Sequence, residues 1–216
     1  MIEVRDIKKQ YGQLSILKGI SFKVIQGEII SIVGSSGAGK TTLLQILGTL
    51  DKPSSGSFSI DGVDPFQLSQ KELARFRNKH IGFVFQFHQL LPEFNALENI
   101  MIPAMIKGDS KKIAQQKGLA LLEQVGLSAR AKHRPNELSG GEQQRIAVCR
   151  ALVNQPKIVF ADEPSGNLDS KNADELHDLF FSLREKLNQT FIIVTHNPML
   201  AQRADRTITL QDGMML

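Results

Sequence analysis

The sequence predicts an α/β fold built on a mainly parallel core sheet, with an antiparallel β region at its N-terminus and an inserted helical subdomain. Three observations carry that prediction. The run Ile29–Val33 is apolar at nearly every position, as in a strand covered on both faces. Strand-length and helix-length apolar patterns alternate along most of the chain, and between residues 90 and 134 the strand pattern vanishes. Such alternation calls for a sheet covered on both sides by crossover helices. With 216 residues the chain reads as a single domain, 1–216, in which 1–85 and 135–216 form the α/β core and about 86–134 the helical part.

Taken in order, Ile2 and Val4 alternate with polar neighbours, and so do Ile20, Phe22 and Val24, the period-two pattern of half-buried strands. Gln26-Gly27 supplies a turn before Ile29–Val33. A glycine-rich turn and a helix over 41–50 follow, closed by Lys52-Pro53-Ser54-Ser55-Gly56. A short strand over 57–60 and the turn Asp61-Gly62 precede a helix over 67–79 and a strand over Ile81–Phe85. Ser110 is placed to cap a helix whose positions Ala114, Gly118, Leu121, Leu122 and Val125 recur at spacings of three and four up to Gly126. From Leu138 the alternation returns: a helix to about 153, a strand over 158–161, a helix over about 171–187, a strand over 191–194 and a terminal pair of short strands around 206–210.

Composition removes several function classes. The single cysteine, Cys149, excludes an internal disulfide framework or a multi-cysteine metal cluster, and packing in a helix is its natural role. Lys and Arg number 26 against 22 Asp and Glu, and the resulting +4 is too small and dispersed for a nucleic-acid binder, though compatible with resting near an anionic inner leaflet. No apolar run reaches the 18 residues needed to span a bilayer, and the charged start MIEVRDIKK is unlike a signal peptide. The chain is expected to be soluble or peripheral to a membrane.

Gly34-Ser35-Ser36-Gly37-Ala38-Gly39-Lys40-Thr41 fits GxxxxGK[ST] between an apolar strand and a helix, the setting of a phosphate-binding P-loop. Glycines allow close approach, the helix N-terminus offers N–H groups to an anion, Lys40 neutralises β and γ phosphates, and Thr41 ligates Mg²⁺, with Thr42 continuing the contacting run. The strand over 158–161 delivers Asp162 to hold Mg²⁺ through water and Glu163 to polarise an attacking water. Leu138-Ser139-Gly140-Gly141-Glu142-Gln143-Gln144-Arg145 makes a second helix start suited to an anion, or an ordinary serine N-cap.

Together these motifs resemble ATP-binding cassette (ABC) ATPases along essentially the whole chain. The resemblance implies a P-loop NTPase fold, ATP and Mg²⁺ as ligands, and a homodimer in which Ser139, Gly140, Gly141 and Glu142 complete the site of another subunit. It further implies that Tyr11 stacks on adenine, although a lone tyrosine also serves packing. Gln86 then senses Mg²⁺ and γ-phosphate, Asp169 in Ser165-Gly166-Asn167-Leu168-Asp169 crosses the dimer interface, and His196 contacts γ-phosphate. His80, His88, His133 and His177 have no such position and read as solvated or capping residues.

Glu142 in place of a commoner Gln, and the ending Gly166-Asn167-Leu168-Asp169, resemble the subgroup of lipoprotein-releasing, macrolide-export and cell-division cassettes. Residues 85–100 and Asn172-Ala173-Asp174 look most like the lipoprotein-releasing type. That resemblance implies two integral permease subunits, docked near Phe87, Leu90 and Leu91, at the cytoplasmic face of a bacterial inner membrane. Read alone, those three side chains are core. Cell-division or macrolide and peptide export is the alternative, and a soluble iron–sulfur assembly ATPase a remoter one. A DNA-repair or chromosome-type cassette fits poorly, because it would carry a long coiled coil where only residues 42–137 separate the P-loop from the second glycine motif.

Overall fold

A computed structural model describes residues 2–216. Among them the strands are β1 (Ile2–Tyr11), β2 (Leu14–Val24), β3 (Ile29–Val33), β4 (Ser55–Ile60), β5 (Ile81–Phe85), β6 (Ile158–Asp162), β7 (Thr190–Val194), β8 (Arg206–Gln211) and β9 (Met214–Met215). The α-helices are α1 (Lys40–Leu47), α2 (Gln70–His80), α3 (Ala96–Lys107), α4 (Lys111–Gln124), α5 (Gly140–Leu152), α6 (Ser170–Leu187) and α7 (Pro198–Arg203). β2, β1 and β4 pair antiparallel, while the larger sheet runs β5-β6-β7-β3-β8-β9 with only the β8/β9 pair antiparallel.

Register decides where function can sit. Phe85 lies beside Asp162, Asp162 beside Val194, and Val194 beside Ile32, so four strands end along one edge of the parallel sheet. Open α/β sheets bind ligands at that carboxyl edge, where the strand order reverses. The order β7-β3-β8 brings the earliest parallel strand between two late ones, and the loop after β3 opens at the reversal.

One hydrophobic cluster fills the space between the antiparallel sheet, α1 and the near face of the parallel sheet, with Phe58, Phe160 and Leu43 fully buried. A second lies under α5 and α6, around Phe180 and Phe191. A third joins α3, α4 and α5 through Ile100, Leu122 and Ile146. No helix among the described residues is long and apolar enough to cross a membrane.

Several boundaries move for local reasons. The helix expected over 41–50 stops at Leu47, because Thr49 adopts φ 60° and its carbonyl and hydroxyl are held by Arg77. The helix expected from 67 starts at Gln70, where Ser69 and Glu72 form a reciprocal cap; residues 65–67 are a separate 3₁₀ turn. Ser110 caps α4 as its spacing predicted. His177 is neither solvated nor a cap: it shares the buried stripe Ala173, Leu176, Phe180 and Leu183 on α6, with Nε2 3.0 Å from Ser165 Oγ. Cys149 is buried, and burial pushes its thiol up to about 12, which leaves it a packing residue.

Candidate active site

β3 runs into a loop that only a glycine can open. Gly34 takes φ 151°, and a Cβ there would strike the carbonyl oxygen of Leu210. The loop then feeds α1, whose N-cap is Gly39, with no side-chain acceptor and no acidic residue in its first turn. Each of α2 to α7 instead has a side-chain cap at its start, from Ser69, Asn95, Ser110, Ser139, Asp169 and Asn197 respectively. A bare start leaves backbone N–H donors and the positive dipole end for an external anion. Lys40 is buried and arches back, its Nζ donating to the carbonyls of Gly34 at 2.8 Å and Ser35 at 2.9 Å.

The facing wall carries two carboxylates. Asp162 ends β6, and Glu163 turns into φ 46°, a left-handed backbone that costs a non-glycine residue on the order of 1 kcal/mol. The turn is held by its N–H donating to the Val194 carbonyl at 2.9 Å, and by its carboxylate accepting from the His196 N–H at 3.1 Å. Glu163 Oε1 is buried without a hydrogen-bond partner, 3.3 Å from His196 Nε2. Burial pushes both carboxyls above their ordinary range; the Thr41 hydroxyl opposes this at Asp162, and the His196 N–H opposes it at Glu163.

The result is a cleft of about 310 Å³ that brings together Ser36, Gly37, Gly39, Lys40, Thr41, Thr42, Asp162, Glu163 and His196. A hydroxyl, a carboxylate and room for phosphate oxygens make a hard oxygen donor set of the kind Mg²⁺ takes, and the uncapped helix with Lys40 fits a polyphosphate. Ile16 and Val194 also line the cleft, and sequence reasoning did not single them out. Val194 falls in the strand read over 191–194, and Ile16 carries no motif of its own.

Other expected site residues lie outside the cleft lining. Ser35 and Ala38 shape the loop, Ala38 from a buried position. Tyr11 is half exposed at the end of β1, its hydroxyl donating to Asp51 at 2.5 Å and its ring beneath Lys9 Nζ. Gln86 donates to Asn167 Oδ1 at 3.0 Å, a latch between residues 81 apart that no local pattern announces. Ser139 and Glu142 form a reciprocal cap on α5, and Glu142 also accepts from Arg130 at 2.8 Å. The Ser139 N–H and Arg130 hold the Glu142 carboxyl below the usual range. Asp169 caps α6 and binds Asn172 through backbone N–H and side chain. Gly140 and Gly141 open the first turn of α5.

A second concavity of about 450 Å³ lies beside β5 between α2, α3 and α5, lined by Arg77, Phe83, Phe85, Ile106, Arg150 and Asn154 among others. Arg150 donates to the carbonyls of His88 and Gln89, and the buried Asn99 side chain ties down Leu91, Phe94 and Asn95. Along this strapped segment Phe87 is 69% exposed and Leu91 43%, whereas Leu90 packs into the α3–α5 cluster.

The geometry agrees with what the chain resembles elsewhere. Residues 17–166 match the family profile described as ABC transporter. The chain is 59% identical, over the full length of both, to the "Lipoprotein-releasing system ATP-binding protein LolD" of Bacteroides fragilis (strain YCH46). The protein of that name from Porphyromonas gingivalis (strain ATCC BAA-308 / W83) is 57% identical, covering 100% of this chain and 98% of the relative. A solved dimeric structure of the ATP-binding cassette MJ0796, in a post-hydrolysis state bound to ADP and Pi, superposes with a TM-score of 0.89 at 38% identity, covering 100% of this chain and 96% of that one. A bare helix start facing two half-buried carboxylates, on a chain with these relatives, makes this protein an ATP-hydrolysing cassette and a member of the ABC transporter family.

Proposed function

We propose that the chain is the ATPase subunit of a lipoprotein-releasing system. In this reading a dimer of cassettes works with two integral permease subunits at the cytoplasmic face of a bacterial inner membrane, sending lipoproteins toward the outer membrane. One observation carries it: the likeness to LolD proteins runs from end to end, so segments outside the nucleotide motifs share it.

The residues divide the work. Lys40 and the N–H groups of 36–42 bind the β and γ phosphates, with Tyr11 against the base. Thr41, Asp162 and Gln86 would hold Mg²⁺, which when bound neutralises charge on the phosphate oxygens. Glu163 takes a proton from water as the water oxygen bonds the γ phosphorus and the bridging oxygen departs with ADP. Its carboxyl, raised by burial, is nearer the range of a working base than an exposed glutamate. His196 reaches γ-phosphate from beside it. Ser139, Gly140, Gly141 and Asp169 of a second copy close over the same nucleotide, so ATP binds the closed dimer better than the open monomer and drives closure.

Residues 86–134 form the inserted helical subdomain, and the groove beside Phe87 and Leu91 receives the permease. Closure pulls two such grooves together and moves what is docked in them. Extracting acyl chains costs about 0.8 kcal/mol per CH₂, which makes a motor necessary for multiply acylated cargo. Depleting the protein in its native cell and fractionating the membranes tests this: lipoproteins should accumulate in the inner membrane. Lipoproteins that still reach the outer membrane while septation or efflux fails would transfer the assignment to a cell-division or export system.

A further inference from the structure

Beside the docking groove runs another of about 550 Å³, whose lining contains four cations and no carboxylate. α2 contributes Lys71, Arg75 and Lys79, spaced four apart and therefore on one face, and α3 ends on Lys107. All four are exposed, and among the described residues none makes an ion pair within 4 Å. The only acid of α2, Glu72, is turned back onto the N–H and hydroxyl of Ser69. Like charges at i and i+4 destabilise a helix, and only the attraction of Glu72 to Arg75 and the position of Lys79 in the last turn offset this within α2. Burial is the main cause that holds His80 nearby below its ordinary value; Lys79, then Lys157 and Lys107, add to it and Asp61 opposes it.

Apolar side chains flank the stripe. Ile106 is 71% exposed and Met105 49%. Ala74, Asn78 and Ile106 line both this groove and the docking groove, so the two are one continuous surface. If integral subunits dock in the latter, as the proposed function has it, the stripe lies on the same side of the cassette as those subunits.

We infer that the α2 face with the end of α3 binds anionic phospholipid headgroups, holding the cassette to the membrane independently of its integral partners. The chemistry favours lipid over an acidic protein segment. A protein carboxylate is best met by donors fixed in place, whereas Lys71, Lys79 and Lys107 are exposed point charges with no ion pair among the described residues, the first two about 12 Å apart along α2 and the third at the end of α3. Diffuse cations beside apolar tips suit a fluid layer of phosphates over acyl chains.

The test is sedimentation of the intact protein, without permease subunits, with vesicles of phosphatidylglycerol and phosphatidylcholine or of phosphatidylcholine alone. Binding should require phosphatidylglycerol and fall with salt, as attraction across a Debye length of about 8 Å demands. The triple variant Lys71→Gln/Arg75→Gln/Lys79→Gln should partition about tenfold or more weaker, with ATPase activity unchanged. Removing equal charge at Lys8, Lys23 and Lys186 should leave binding intact. No binding to either vesicle, equal binding to both, or equal loss in the two triple variants overturns the inference. Loss of permease association in the α2 variant without vesicle binding also overturns it, and assigns the face to an acidic protein segment. Co-purification of the permease with the native protein reads the docking proposal separately.

Discussion

Two helices of this cassette begin with glycines, and their starts are electrostatic opposites. The N-cap of α1 is Gly39, with no side-chain acceptor and no first-turn acid, while that of α5 is Ser139, with Glu142 folded back onto its N–H. Glycines are therefore not what makes an anion site; the absence of both a capping side chain and a third-position carboxylate is. At α1 that position is Thr42, and the donors remain available to a phosphate. At α5 a carboxylate already sits there, which in the proposed dimer leaves a phosphate only the Ser139-Gly140-Gly141 edge. α5 is also braced from behind: a Cβ on Gly141 would collide with Asn172, itself bound to Asp169 at the start of α6. One start is shaped to receive, and the other is fixed so that it can be received.

The largest expected effect separates holding the anion from using it. Glu163→Gln should leave ATP affinity near wild type, because α1 and Lys40 are untouched, while steady-state ATPase falls by about 10² to 10⁴. Light scattering of this variant with ATP and Mg²⁺ should show a trapped dimer, and adding Ser139→Ala should weaken that dimer without changing nucleotide binding by the monomer. Near-normal turnover in Glu163→Gln would remove Glu163 from its role. Next in size is a change that makes α1 imitate α5. Thr42→Glu supplies the missing third-position carboxylate, and like-charge repulsion against a triphosphate should weaken nucleotide binding about 100-fold by calorimetry. Unchanged affinity would mean that an uncapped start is not what holds the phosphates.

What the sequence disclosed follows the range of each signal. Strands and caps are local, so Ile29–Val33, Ile81–Phe85 and the Ser110 cap could be read directly, and so could the cleft residues attached to strand ends. α3 carried a reciprocal cap in Asn95 and Glu98, but Pro103 interrupts its pattern. α7 spans six residues, too short to show a period. Contacts that tie distant segments, Gln86 to Asn167 and Glu142 to Arg130, had no local pattern to reveal them. His177 was misread as polar surface although it stands four residues from Ala173 and three from Phe180, on the buried stripe.

A smaller effect probes α5 from its own side. Glu142→Ala removes the reciprocal cap and the Arg130 partner, and should cost about 1 kcal/mol, or a fall in Tm of about 2–4 °C. Glu142→Gln keeps an acceptor at the cap and should recover part of that loss. If both variants melt like wild type, the α5 start is not held by its own carboxylate.

The smallest effect lies one layer further back, in the brace behind α5. His177 holds Ser165 Oγ just ahead of the turn in which Asp169 and Asn172 support Gly141. Burial is the main cause that keeps its imidazole below the ordinary value; Arg203 adds to this, while Asp174 and Asp178 pull the other way. An unfolded chain therefore takes up a proton near pH 6.5 that the folded chain refuses, so the stability due to neutral His177 is present above that pH and is lost as pH falls through the folded value. One such proton contributes at most about 1.4 kcal/mol per pH unit. His80 and His88, also held down by burial, add slopes of the same sign, and the raised Asp162 and Glu163 add slopes of opposite sign. All four remain in His177→Phe, so only the difference between the two proteins isolates His177. Urea midpoints measured from pH 7.5 to 5 should fall less steeply in the variant, and parallel curves would show that the brace does not titrate.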